Sequence, residues 1–139
     1  MENEKYVLLI EDNSDDVTLA QVAFKKAQIT NRLNVVWDGV EAMEFIFGTG
    51  RYAKRDLTDK PAVILLDLKL PLLNGLQVLK AIRENVNTKD IPVIVLTSST
   101  EVSDQRACNH CGITEYLQKP SNLSKFIEIV KNIKSAFLS

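Results

Sequence analysis

Cysteine, proline and glycine are scarce, with 2, 4 and 5 residues among 139. So few chain breakers, beside 45% hydrophobic and 25% charged residues, exclude a linker or a disordered chain and describe a folded globule. Two cysteines cannot staple a disulfide scaffold, and they fit a reducing, cytoplasmic setting. Neither sign of charge prevails: 17 basic and 18 acidic residues leave a net charge of -1, which excludes the cationic surface of a bulk nucleic-acid binder. Long hydrophobic runs are missing too. The stretches 63–66 and 93–96 are strand-length, far below the roughly 20 residues of a membrane span. At the start, residues 6–10 are a short apolar segment that runs straight into Glu11 and Asp12, unlike the long core of a signal peptide. The expectation is one cytoplasmic domain, 1–139, that binds neither membrane nor nucleic acid.

What the chain does have is alternation. Short runs rich in Val, Ile and Leu at 6–10, 33–37, 62–66, 92–96 and 115–118 alternate with helix-period stretches at 14–28, 39–47, 75–86, 102–111 and 122–137. Strands apolar on consecutive positions are those covered on both faces, so the pattern predicts a (βα)5 parallel sheet between helices. At this length an open, doubly wound sheet can be completed and a TIM barrel cannot. Ser14 is the expected cap of the first helix, with Asp15 and Asp16 as ordinary first-turn acids. Gly112 stops the fourth helix. Residues 48–60 read as a long surface loop, and Trp37 and Phe45 as core or edge packing.

In such sheets chemistry gathers at the carboxyl ends of the strands. Those ends carry Glu11 and Asp12, then Asp67, then Thr97 and Ser98, then Lys119 and Pro120. Adjacent strands lie about 4.8 Å apart, close enough for Asp12 and Asp67 to share one small cation. Two carboxylates about 5 Å apart repel by roughly 3 kcal/mol at an effective dielectric of 20. A hard, oxygen-seeking ion such as Mg2+ and the fixed charge of Lys119 would offset that repulsion.

These residues, in this order, resemble the receiver domain of two-component response regulators over essentially the whole chain. The matching elements are Glu11-Asp12, Leu65-Leu66-Asp67-Leu68-Lys69-Leu70-Pro71-Leu72-Leu73-Asn74-Gly75, Thr97-Ser98, and Tyr116 three residues before Lys119-Pro120. The resemblance implies a flavodoxin-like sheet with strand order 2-1-3-4-5. It makes Asp67 the phosphoacceptor for a sensor histidine kinase. Mg2+ would be held by Asp12, Asp67 and the Lys69 backbone carbonyl, with Glu11 acting through a water. Thr97, Ser98 and Lys119 would bind the phosphoryl group, Thr97 and Tyr116 would form the switch, and the Lys119-Pro120 bond would be cis. A stand-alone receiver is implied, signalling through a downstream protein or a phosphorelay partner. No turnover on external substrates is expected.

The loop 48–60 with Arg51-Tyr52, together with Asp67-Leu68-Lys69-Leu70-Pro71, resembles the small regulators that serve bacterial phytochromes. The face of helix four, strand five and helix five, with Ile129 at its flank, is expected to form a homodimer. Two rivals fit less well. A Mg-dependent aspartyl-phosphate phosphohydrolase would carry a second Asp where Lys69 stands. A flavin phosphate would be repelled by the acids after strand one. Cys108-Asn109-His110-Cys111 lacks the ligands for structural zinc, so both thiols are expected to be small packing residues.

Overall fold

A computed structural model describes residues 4–139. Five parallel strands, β1 (Val7–Ile10), β2 (Leu33–Val36), β3 (Val63–Leu66), β4 (Val93–Thr97) and β5 (Glu115–Gln118), lie in the order β2-β1-β3-β4-β5. Helices α1 (Ser14–Lys26), α2 (Gly39–Phe47), α3 (Gly75–Glu84), α4 (Val102–Cys111) and α5 (Leu123–Ile133) alternate with them. The expected fold class and strand order are thus both present.

Each strand feeds two cores by its two-residue period. Leu8, Ile10, Ile64, Leu66, Val93 and Val95 meet α2, α3 and α4 through Phe45, Leu79, Ile82 and Cys108. Val7, Leu9, Val63, Leu65, Ile94 and Leu96 meet α1 and α5 through Phe24, Phe126 and Val130. Leu65 and Leu66 are both fully buried, and truncating either to Ala would cost about 2–5 kcal/mol. Two-sided burial explains the unbroken apolar run of β3.

Several local expectations need correction. The α1 cap is Asn13, whose side chain accepts from the Asp15 and Asp16 amides at 2.9 and 3.1 Å. Ser14 is instead the first helical residue. That helix stops at Lys26, and Gln28 turns the chain with a φ of 60°. At the C-terminus a five-residue π-helical turn, Lys134–Leu138, follows α5. Of the two aromatics expected at core or edge, Phe45 is core, and Trp37, 42% exposed, lies just past the end of the edge strand β2. Cys108 is buried in the core and its thiol is pushed up to about 11 by burial, with Cys111 and Asp104 adding to the shift; it packs, as expected. No peptide bond among the described residues is cis, so Lys119-Pro120 is trans, the form intrinsically favoured by about 0.5–1 kcal/mol. The long lysine arm reaches the pocket without the turn that a cis bond would supply.

Residues 48–60 are more ordered than a surface loop. A 3-10 turn at Gly50–Tyr52 leads to Arg55, whose guanidinium donates to the Phe45 and Asp59 carbonyls at 2.6 and 2.7 Å and stacks over the Phe45 ring. Buried Tyr6 also donates to the Asp59 carbonyl, at 2.9 Å. This clamp sits at the amino end of β1, away from the strand ends that carry the acids.

Candidate functional site

Register assembles the site. Ile10 pairs with Leu66 across β1 and β3, and Thr97 pairs with Gln118 across β4 and β5. The next residue in each strand therefore emerges at the same rim. The Asp67 amide donates to the Ile10 carbonyl at 3.1 Å, and the Lys119 amide to the Thr97 carbonyl at 2.9 Å. Glu11, Asp67 and Thr97 are buried, while Asp12 and Ser98 are exposed at the edge. Carboxylate oxygens of Glu11, Asp12 and Asp67 lie within 4.8 Å of one another.

One ammonium bridges the acids. Lys119 Nζ is 2.8 Å from Glu11 Oε1, 2.8 Å from Asp16 Oδ2 and 3.0 Å from Asp67 Oδ2. The other Asp67 oxygen, Oδ1, accepts from the Lys69 amide at 3.2 Å. Burial works against the charge on Lys119, yet hydrogen bonds to Asp16, Glu11 and Asp67 outweigh it and raise the pKa. The lysine therefore stays cationic. Glu11 is pushed up to about 7, chiefly by burial and then by the charge of Asp67, although its bond to Lys119 pulls the other way.

That shift fixes a pH dependence. Between the ordinary value of 4.5 and about 7, folded Glu11 holds a proton that the unfolded chain has released, so stability falls as pH rises through this window. In EDTA, the melting temperature should drop by several degrees from pH 5 to pH 7.5. Glu11→Gln should flatten this part of the profile. Parallel profiles for the two proteins would contradict the assignment.

Thr97 stands at the head of a second chain of contacts. Its Oγ1 accepts from the Ser99 amide at 3.2 Å, Ser99 Oγ donates to Asp104 Oδ2 at 2.6 Å, and the Tyr116 hydroxyl lies 3.5 Å from the Ser99 carbonyl. Thr97 and Tyr116 are thus joined through Ser99. The sequence marks neither Ser99 nor Asp104 as a site residue, although the run Ser98-Ser99-Thr100 is a visible sign of side chains that bond to backbone. Asp16, which reads as an ordinary first-turn acid, is paired with Lys119 across 103 residues of chain.

A doubly wound parallel sheet with an acid cluster and one bridging lysine at its carboxyl rim suits a class of proteins that handle phosphoryl groups. Comparison places the chain within that class: residues 7–131 match the response regulator receiver domain, and the chain belongs to that family. It is 37% identical over 134 residues to the response regulator Rcp1 of Synechocystis sp., covering 96% of this chain and 89% of that protein. The crystal structure of the phosphorylated cyanobacterial phytochrome response regulator RcpA superposes with a TM-score of 0.88 at 36% identity, over 99% of this chain and 96% of that one. The Mn2+-bound form of Rcp1 gives a TM-score of 0.86 at 37% identity, covering 97% and 95%. The expected likeness to phytochrome regulators is borne out by these relatives, and the protein is a signalling response regulator.

Proposed function

We propose that this receiver takes one phosphoryl group onto Asp67 from a phosphohistidine of a sensor kinase of the phytochrome class, and works as a single unit over residues 1–139. The observation that carries the reading is the buried Asp67 carboxylate, held between Lys119 on one oxygen and the Lys69 amide on the other. Such fixed positioning is most of what phosphoryl transfer asks of a protein. An Asp67 oxygen forms the new bond to phosphorus as the P–N bond to the donor imidazole breaks, and the bonding pair stays on that nitrogen. Lys119 then faces the phosphoryl oxygens, and Thr97 and Ser98 offer them hydroxyl donors.

The residues fit a divalent cation. Three carboxylates within 4.8 Å repel pairwise by roughly 3 kcal/mol at an effective dielectric of 20, which is more charge than one ammonium offsets. All-oxygen donors favour Mg2+, which Asp12, Asp67 and the Lys69 carbonyl would hold, with Glu11 acting through a water. Bound there, the ion would supply further positive charge to the transferring group.

Output follows from the Thr97 and Tyr116 pair. A phosphoryl group at Asp67 draws the Thr97 hydroxyl away from the Ser99 amide, and half-buried Tyr116 moves into the space released. This reshapes the face of α4, β5 and α5, which pairs with a second copy of the chain or with a downstream protein or phosphorelay partner. The test is incubation with acetyl phosphate and Mg2+. Intact mass should show one phosphoryl per chain, small phosphate esters should not be turned over, and sedimentation should show tighter self-association with beryllofluoride. Catalytic phosphate release from such esters would favour the phosphohydrolase reading, and a protein that stays monomeric in both states would remove the dimer.

A further inference from the structure

Two of the three carboxylates on Lys119, Glu11 and Asp67, belong to the acid group assigned above to metal and phosphoryl chemistry. The third does not: Asp16 lies outside the group formed by Glu11, Asp12 and Asp67, yet its Oδ2 accepts from Lys119 Nζ at 2.8 Å. We infer that Asp16 is a positioning residue for phosphoryl transfer, holding the Lys119 ammonium in the pocket from the α1 side while its bond to Asp67 is exchanged for one to the incoming group. This rests on the phosphoacceptor reading of Asp67.

Hydrogen-bond valence is the first argument. An ammonium has three N–H donors, and the three carboxylates lie within 3.0 Å of Lys119 Nζ, with a hydrogen bond directed at Asp16. With acetyl phosphate, an Asp67 oxygen bonds to phosphorus and the P–O bond to acetate breaks, its electron pair leaving on acetate. The charge formerly on Asp67 is then carried by phosphoryl oxygens, and the ground-state bond to Lys119 must be given up. Without Asp16, only Glu11 would retain the lysine, and Glu11 also faces the cation. A four-carbon arm with several rotamers is poorly fixed by one contact.

Surroundings supply the second argument. Beside the ammonium lies a cavity of about 20 Å3, room for one water at most, where Glu11, Asp16, Asp67 and Lys119 meet an apolar wall that includes Leu19, Leu96 and Phe126. Apart from Glu11 and Asp67, which Lys119 already engages, no lining side chain offers an acceptor to replace the Asp16 carboxylate. Asp16 is itself fixed, because the Asn13 side chain accepts from its amide at 3.1 Å. It sits in the first turn of α1, where the helix dipole favours an anion.

The experiment follows the phosphorylation rate by intact mass, with acetyl phosphate and saturating Mg2+. It compares wild type, Asp16→Ala, Asp16→Asn, Lys119→Gln and the double variant Asp16→Ala with Lys119→Gln. A misplaced ammonium should slow Asp16→Ala about tenfold at saturating acetyl phosphate. Its half-saturating Mg2+ concentration, read by calorimetry, should change less than about twofold, since Asp16 stands apart from the cation's ligands. Asp16→Asn keeps an acceptor oxygen and should recover most of the rate. In the Lys119→Gln background, Asp16→Ala should have no further effect, the non-additivity expected of residues acting as a unit. Equal losses with and without Lys119, a wild-type rate in Asp16→Ala, or Mg2+ affinity falling in step with rate would each overturn the inference. Absence of labelling in wild type would remove the phosphoacceptor reading as well, whereas labelled wild type with additive variants removes this inference alone.

Discussion

Asp67→Asn should take up no phosphoryl group from acetyl phosphate under conditions that label wild type fully. Asp67 engages the Lys69 amide and Lys119 through different oxygens, at 3.2 and 3.0 Å; the one amide oxygen of Asn keeps one of these contacts, while Glu11 and Asp16 still hold Lys119. What disappears is the anionic nucleophile. The variant also removes one of the three carboxylates that lie within 4.8 Å of one another, so Mg2+ affinity should fall at least about tenfold, or 1.4 kcal/mol. Intact mass reads the first effect and calorimetric titration the second. Any phosphoryl gain in Asp67→Asn would move the acceptor to another residue.

Gly75→Ala should damage stability and chemistry together. A Cβ at this position would collide with the Asp67 carbonyl oxygen and come within 2.6 Å of the Leu68 Cα. Both obstacles are backbone and cannot rotate aside. The Gly75 amide donates to the Leu68 carbonyl at 2.9 Å, which closes the loop that carries Asp67. The substitution should therefore cost about 3 kcal/mol, the upper end for overpacking, and should slow phosphorylation by displacing Asp67. Gly112 is the natural comparison: with φ of 91° and no heavy atom closer than 4.0 Å to its added Cβ, Gly112→Ala meets backbone strain but open space. It should cost about 1–3 kcal/mol through backbone strain and leave phosphorylation near wild type. Urea midpoints and labelling rates measured on both variants decide the matter. Equal effects would mean that the contact between Gly75 and the acceptor loop does not govern the site.

Most of this architecture was legible in residue order. Two-faced burial leaves a direct mark in the apolar runs of β1, β3 and β4, and parallel strands project their next residues to one rim. That is why residue order alone groups Glu11, Asp12, Asp67, Thr97 and Lys119. Illegible features depend on where a side chain comes to rest rather than on which rim it occupies. Asp16 and Asp15 are equivalent as first-turn acids, and only the approach of Lys119 distinguishes them. The choice of Asn13 over Ser14 as cap is a one-residue register decided by hydrogen bonding at the end of β1. Arg55 reads as one more loop charge until the Phe45 and Asp59 carbonyls are seen to converge on it.

The parallel sheet has a kinetic corollary. Acids and ammonium arrive on strands far apart in the chain, and Lys119 arrives on β5, an edge strand paired only with β4. Long-range pairings of this kind are slow to form, because loop-closure entropy must be met before the contacts reward it. During folding, the carboxylates of Glu11 and Asp67 converge as soon as β1 and β3 dock, whereas their neutralising charge comes only with β5. A chain whose edge strand has opened thus retains mutual repulsion but loses the ammonium that balances it. Opening of β5 and loss of chemical competence become one event, so hydrogen exchange at β5 amides should track the population able to react.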